Sequence, residues 1–192
     1  MAPTLGGQHL VNEEALFTPR LLLRPPQEQD GTVFLETMAL SRELHYPWIF
    51  PPLTRGAFGA YLARVRREDH RGFLLIDREE GAILGVVNFN NIVRGSFLSA
   101  SLGYYATALS GRGGLMAEGL SALCTWAFHR LGLHRLEANI QPGNQRSLAL
   151  VRRLGFRREG FSPAFLYLDG AWRDHERWTL LDPRTTLRSS DS

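Results

Sequence analysis

Lysine is missing altogether: the 192 residues carry 22 basic side chains, and every one is arginine. A compositional bias is the simplest source, but the consequence is chemical, because arginine stays charged and meets phosphate or carboxylate through a planar fork. A net charge of +3 is too small to argue DNA binding and suits an anionic ligand or a ribosome-associated partner. Cysteine is nearly missing too. The single one, Cys124, lies in the apolar pattern of a predicted helix, which excludes an internal disulfide and a cysteine-rich metal site and predicts a small buried core residue. No metal is expected. No apolar run approaches the roughly 18 residues of a membrane span, and "MAPTLGGQHLVNEEALF" lacks a basic stretch leading into an apolar one. A cytoplasmic protein with no membrane partner is expected. Neither a repeat nor a long linker interrupts the chain. The length then predicts one domain over residues 18–182, between tails at 1–17 and 183–192.

What is there alternates between strand and helix. "RLLLR" reads as a short strand closed by Pro25 and Pro26, and the stretch after it has helical spacing, with Val33, Phe34, Thr37 and Leu40 on one side. "HYPWIFPPLT" is a proline-broken aromatic loop before a second helix through Phe58, Tyr61, Leu62 and Val65. Three β-rich runs follow from Gly72 to Ala106, with turns at Glu79-Glu80-Gly81 and Val93-Arg94-Gly95, and read as an antiparallel meander. A long helix then runs to about Leu131 with Leu120, Leu123, Ala127 and Leu131 along one face. "HRLEANIQP" alternates as a strand, and "NQRSLALVRRLG" is a helix with Asn144 as its N-cap. Two final strands meet at Asp169-Gly170, a strong hairpin turn. The sum is an α/β (α+β) chain built on a mixed sheet, antiparallel at both ends.

The long helix opens with "LSGRGGLMAEGL". A glycine-rich turn at a helix N-terminus gathers backbone N–H groups and the positive end of the macrodipole around one point, which makes an anion site. Gly111, Gly113 and Gly114 remove Cβ atoms from the approach, and Arg112 adds charge. The spacing is neither G-x-G-x-x-G nor a P-loop, and its place after a meander argues against a dinucleotide fold.

Taken in order, "SLGYYA", "GRGGLMAEGL", "LGLHRLEANIQPGNQRSLALVRRLGFRREG" and "LDGAWRDHERWTLL" resemble the GNAT acetyltransferases, and within them the RimJ/RimL branch that acetylates protein N-termini. The resemblance runs from about Thr18 to Leu181. It implies the GNAT fold, a mixed, mostly antiparallel central sheet flanked by helices whose central strands splay to form an acetyl-CoA cleft, and a direct attack of an amine on the thioester. It further implies that the pyrophosphate loop falls on Gly111, Arg112, Gly113, Gly114, Leu115 and Met116. The Gln or Arg that usually opens that loop is replaced by Gly111, and Arg112 is the candidate substitute. By the same likeness Leu102, Gly103, Tyr104 and Tyr105 offer backbone groups to the pantetheine arm, and Asn144 helps hold the cofactor near the thioester. The superfamily's tyrosine proton donor falls on Val151. The branch's serine falls on Ser147, which becomes the catalytic candidate, either bonding the sulfur or relaying a proton.

No general base follows from the sequence, since Ser101 stands where some relatives carry Glu. A water chain to Glu118, His45, His134 or His175 stays open, and the low pKa of an α-amine reduces the need for a strong base. His175 is expected to be structural, and Trp172 and Asp174 to order the last hairpin. For the acceptor, the resemblance points to Tyr46, Trp48 and Tyr167, while Phe50 is expected to be core. Asn88 and Asn90 share a face of the central strand by alternation and are candidates to bind a peptide backbone; Asn91 suits a turn or edge.

The expected activity is acetylation of a protein N-terminus, such as that of a ribosomal protein, in the manner of a ribosomal-protein alanine N-acetyltransferase. Acetylation of a small amine, and CoA binding with weak catalysis during ribosome assembly, are the alternatives. A monomer and a homodimer are both compatible with the sequence.

Overall fold

The computed structural model describes residues 15–111 and 113–186. Arg112 and most of both expected tails lie outside them. The elements are β1 (Leu16–Phe17), β2 (Leu21–Arg24), α1 (Gly31–Leu40), α2 (Arg42–His45), α3 (Arg55–Val65), β3 (Arg71–Asp77), β4 (Ile83–Val93), β5 (Ser99–Ala106), α4 (Leu115–Arg130), β6 (Arg135–Ile140), α5 (Gln145–Arg153), β7 (Arg157–Leu168), β8 (Ala171–Leu181) and α6 (Pro183–Thr186). The eight strands form one sheet in the order β1-β2-β3-β4-β5-β6-β8-β7. Every neighbouring pair is antiparallel except β5 and β6. The sheet is therefore mixed and mostly antiparallel, as the sequence predicts. At the two ends the order extends further than expected, because Leu16–Phe17 pairs with β2 and Pro183–Thr186 forms α6.

Two cores sandwich the sheet. On one face α4 lays Leu120, Leu123, Cys124 and Ala127 against Leu75, Val87, Phe89 and Leu136, with Phe73 and Phe89 around Trp126. On the other, Phe34 and Met38 of α1 meet Phe58, Tyr61 and Leu62 of α3 over Leu74 and Val86. Covered on both sides, β3 buries five consecutive residues, which explains its unbroken apolar run. The buried face of α1 differs from the expected one. Val33 and Leu40 are exposed, and the inward stripe is Phe34, Thr37, Met38 and the following Ser41. Ser41 is drawn in by two hydrogen bonds: its hydroxyl donates to the Thr37 carbonyl (2.7 Å) and accepts from the Ala108 amide (2.9 Å).

One close approach fixes α4 on the sheet. A Cβ on Gly119 would lie 2.5 Å from Leu75 Cδ2, inside any normal contact. Among the described residues no helix is long and apolar enough to cross a membrane.

Candidate active site

The parallel pairing of β5 with β6 runs from Ser99–Arg135 to Leu102–Ala138 and then stops. Beyond it, Gly103 to Ala106 pair only with β4, and Asn139 and Ile140 only with β8. The strands splay, leaving two unpaired backbone edges facing each other, a costly arrangement unless a ligand or water meets them. A cavity of about 730 Å³ occupies the split, walled by Leu102–Ala106, Ala138–Gln141, the chain around His45–Ile49 and the start of α5. Of the residues named from the sequence, Leu102, Gly103, Tyr104, Tyr105, Gly114, Met116, Asn144, Ser147, Tyr46 and Trp48 line it. Gly111, Gly113 and Leu115 stand behind that lining, in the loop and first turn of α4.

At one end lies the N-terminus of α4. Gly114 is in the left-handed region (φ 74°), which side chains rarely adopt, and the first helical bond runs from the Glu118 amide to the Gly114 carbonyl. The amides of the turn before it, such as those of Leu115 and Ala117, have no helical carbonyl to bond. Arg20 fastens the loop: its guanidinium donates to Glu118 Oε2 (2.7 Å) and to the Gly113 carbonyl (2.9 Å). Burial raises the Glu118 pKa, but the hydrogen bonds from Thr18 and Arg20 outweigh it and hold the carboxyl below its ordinary value. Arg153, at the end of α5, brings its guanidinium to 3.7 Å from where a Gly114 Cβ would stand, lines the cavity and has no ion-pair partner among the described residues. A helix end bare of a side chain at Gly114, its free amides and an arginine without an ion-pair partner among the described residues fit a phosphate group. Sequence reading missed Arg153 because it is 39 residues from the loop that it serves; its only local signal was a basic end to an amphipathic helix.

At the fork of the split, Asn144 caps α5, its side-chain oxygen accepting the Ser147 amide at 3.2 Å. The cap fixes Ser147 on the first turn, where its hydroxyl is 2.6 Å from that of Tyr104. Burial pushes the Tyr104 phenol up to about 12, partly countered by the bond to Ser147. Tyr104 was named only for its backbone. Alternation along β5 puts it on the same face as Leu102, toward α4 and α5, and that periodicity was the available clue.

The opposite side is aromatic. Tyr46 and Trp48 line the cavity, and Trp48 packs over Gly143, whose Cβ would lie 2.9 Å from the indole. Phe50 is not core: it is half exposed, edge-on to Tyr46, and borders a side cavity of about 440 Å³ that shares Glu43, His45, Tyr46 and Ile49 with the main one. Of the four base candidates, two are engaged elsewhere, Glu118 with Arg20 and Thr18, and His134 with Thr185. His45 and His175 both line the cavity. His45 Nε2–H donates to the Ala106 carbonyl (2.8 Å), and His175 Nδ1–H to the Arg173 carbonyl (2.9 Å). Burial lowers the pKa of each, opposed in part by those bonds.

Three candidates stand apart from the cavity. Asn88 is buried, its oxygen accepting the Tyr61 hydroxyl (3.0 Å), and Asn90 lies beside Gly103 on that same face of β4. Asn91 has positive φ (52°) where the β4–β5 register shifts, an irregularity near the end of an interior strand and not a sheet edge. Tyr167 is exposed near the tip of the β7–β8 hairpin, its ring 5.6 Å from that of Trp172.

The sequence profile of the acetyltransferase (GNAT) domain family matches residues 20–157. Over 189 residues the chain is 34% identical to the ribosomal protein uS5-alanine N-acetyltransferase of Escherichia coli, covering 94% of this chain and 97% of that one. A ribosomal-protein-S5-alanine acetyltransferase from Vibrio fischeri has the same fold, with a TM-score of 0.80 at 23% identity over 89% of this chain and 98% of that one. Mycobacterium smegmatis RimJ, solved in complex with CoA-disulfide, is similar with a TM-score of 0.77 at 25% identity, over 85% of this chain and 83% of that one.

Proposed function

The chain belongs to the GNAT acetyltransferase family, and from that premise we propose that it transfers acetyl from acetyl-CoA to the N-terminal α-amine of a protein, a ribosomal protein by likeness to its relatives. The observation that carries this reading is the split between β5 and β6, with a phosphate-fitting helix end on one side, a partly buried hydroxyl pair at its fork and an aromatic wall opposite.

Acetyl-CoA, when bound, supplies the activated acetyl thioester. The amides at the start of α4, bare of a side chain at Gly114, and the Arg153 guanidinium hold its phosphates, with Gly111 in the loop before them. The free edge of β5 from Gly103 to Ala106 bonds the pantetheine amides as a further strand would. Asn144 holds α5 in place, and Ser147 meets the sulfur. A serine hydroxyl is a weak acid, so Ser147 passes a proton that Tyr104, bonded behind it, replaces. Tyr46 and Trp48 line the acceptor's approach. Asn88, Asn90 and Tyr167 lie outside the residues that line the cavity.

Release of CoA thiol from acetyl-CoA, measured with a peptide beginning in Ala, tests the reading beside the same peptide with a blocked α-amine and a panel of small amines. Release with the free peptide alone is the expected result. Release with small amines alone moves the function to a small-molecule acetyltransferase, and CoA binding without release in any arm overturns the enzymatic reading.

A further inference from the structure

Nothing so far accepts the proton that the acceptor amine must lose. An α-ammonium group, with a pKa of about 8, is mostly charged at neutral pH and has no free electron pair for attack. Sheet register sorts the cavity's groups by side. Leu102 and Ala138 lie opposite each other and both face α4 and α5, as does Tyr104 two residues along β5. On β8, Glu176 lies opposite Ile140 and Trp178 opposite Ala138, so these too face the α4 side. His175, next to Glu176, points the other way. It shares its side with Gly103 and Tyr105 of β5 and with His45, whose ring is edge-on to Tyr105.

Two neutral imidazoles thus stand on the acceptor side, and their hydrogen bonds distinguish them. A carbonyl can only accept, so each ring places its N–H on its backbone partner and keeps a lone pair on the other nitrogen. The lone-pair nitrogen of His45, Nδ1, is sealed inside the protein without a partner. That of His175, Nε2, likewise has no hydrogen bond among the described residues but is not sealed, in a residue that is 2% exposed and lines the cavity. Resting on the acetyltransferase reading above, we propose that His175 Nε2 is the proton acceptor for the substrate's α-amine, working from the face opposite the Ser147–Tyr104 proton donor.

In this step an ammonium N–H bond breaks, its electron pair stays on nitrogen, and the proton forms an Nε2–H bond. The freed pair makes the C–N bond of the amide as the C–S bond of the thioester breaks, and the sulfur takes a proton from the hydroxyl pair. The second proton shed by nitrogen restores that pair, and the imidazolium returns its own to solvent. The Arg173 carbonyl, already bonded to Nδ1–H, fixes the tautomer and stabilises the imidazolium. Asp174 on the same strand favours the charged ring. The charged and titratable groups lining the cavity from other elements are Glu43 and His45 of α2, Tyr46 after it, Tyr104 and Tyr105 of β5, and Arg146 and Arg153 of α5. Burial dominates, so the ring is neutral at neutral pH and ready to accept.

His175→Asn tests the assignment, because the asparagine amide can keep the bond to the Arg173 carbonyl while Nε2 is lost. For a peptide beginning in Ala, kcat should fall about 100-fold, with CoA affinity and Tm unchanged, and the decline in kcat below pH 6.5 should vanish. An acceptor whose amine is already neutral at the assay pH should lose far less. Side-chain nitrogen NMR of the free protein gives a readout without catalysis: His175 should be the neutral Nδ1–H tautomer at pH 7. A variant with wild-type rate and pH profile, an equal loss for both acceptors, or an Nε2–H tautomer overturns the proposal. Wild-type protein that acetylates no amine refutes the acetyltransferase reading itself, and the tautomer still decides whether His175 carries an available lone pair.

Discussion

The hydroxyls of Tyr104 and Ser147 stand 2.6 Å apart, although 43 positions separate them in the chain. One comes from the middle of β5 just where it leaves β6, and the other from the first turn of a helix capped by Asn144. Neither is a strong acid alone. Bonded together at the cavity wall, where both are partly buried, they form a short relay.

A relay of this kind acts as a unit, so its members are not additive. Ser147→Ala and Tyr104→Phe should each lower kcat by about 10- to 100-fold, and the double variant should be little worse than the poorer single one. Thiol release at saturating acetyl-CoA measures all three. Losses that multiply would show two independent roles.

Gly114 has φ of 74°, and the Arg153 guanidinium stands 3.7 Å from where its Cβ would be. Valine there is strained by its branched Cβ and covers the helix amides, at a backbone cost of about 1–3 kcal/mol. CoA should bind at least about tenfold more weakly to Gly114→Val, because the valine side chain stands between the helix amides and the phosphates. Arg153→Gln should weaken binding less and flatten its salt dependence, since one charge contact is removed. Calorimetric titration at two ionic strengths checks both, and unchanged affinity in folded variants would separate this helix end from the phosphates.

Gly119 makes a prediction about the fold alone. Its added methyl would meet Leu75 Cδ2 at 2.5 Å between α4 and β3. Gly119→Ala should therefore destabilise the protein by about 1–3 kcal/mol, despite alanine's better helix propensity. Urea unfolding reads the sign directly.

Burial lowers the pKa of both His45 and His175 from 6.5. The unfolded chain then binds more protons than the folded one as the pH falls. Their contribution to stability is complete above 6.5 and is lost progressively below it. Glu118, held below its ordinary 4.5, contributes in the same direction but in a more acidic window. Tm should drop between pH 7 and pH 5, and the drop should shrink in His45→Gln, which can keep a donor for the Ala106 carbonyl. An equal drop in that variant would assign the acid sensitivity elsewhere.

Local pattern carried much of this. The Asp169-Gly170 hairpin, the Asn144 cap and the apolar stripe Leu120, Leu123 and Ala127 each depend on neighbours within a turn or two, and each is present. The first helix shows where pattern stops. Several stripes fit its sequence, and the buried one was selected by Ser41 bonding the distant Ala108 amide. Alternation likewise put Asn88 and Asn90 on one face correctly but could not say that Tyr61 already occupies Asn88 there.

By itself the sequence determined the order of elements, the glycine turn before α4 and the presence of Ser147 on a capped helix, because these are set by dihedral preferences and short-range hydrogen bonds. Only the tertiary structure decided that Arg153 reaches Gly114, that Tyr104 backs Ser147, and which histidine keeps an open lone pair. Those pairings join strands and helices far apart in the chain, and they follow from register and packing, which periodicity within one element does not encode.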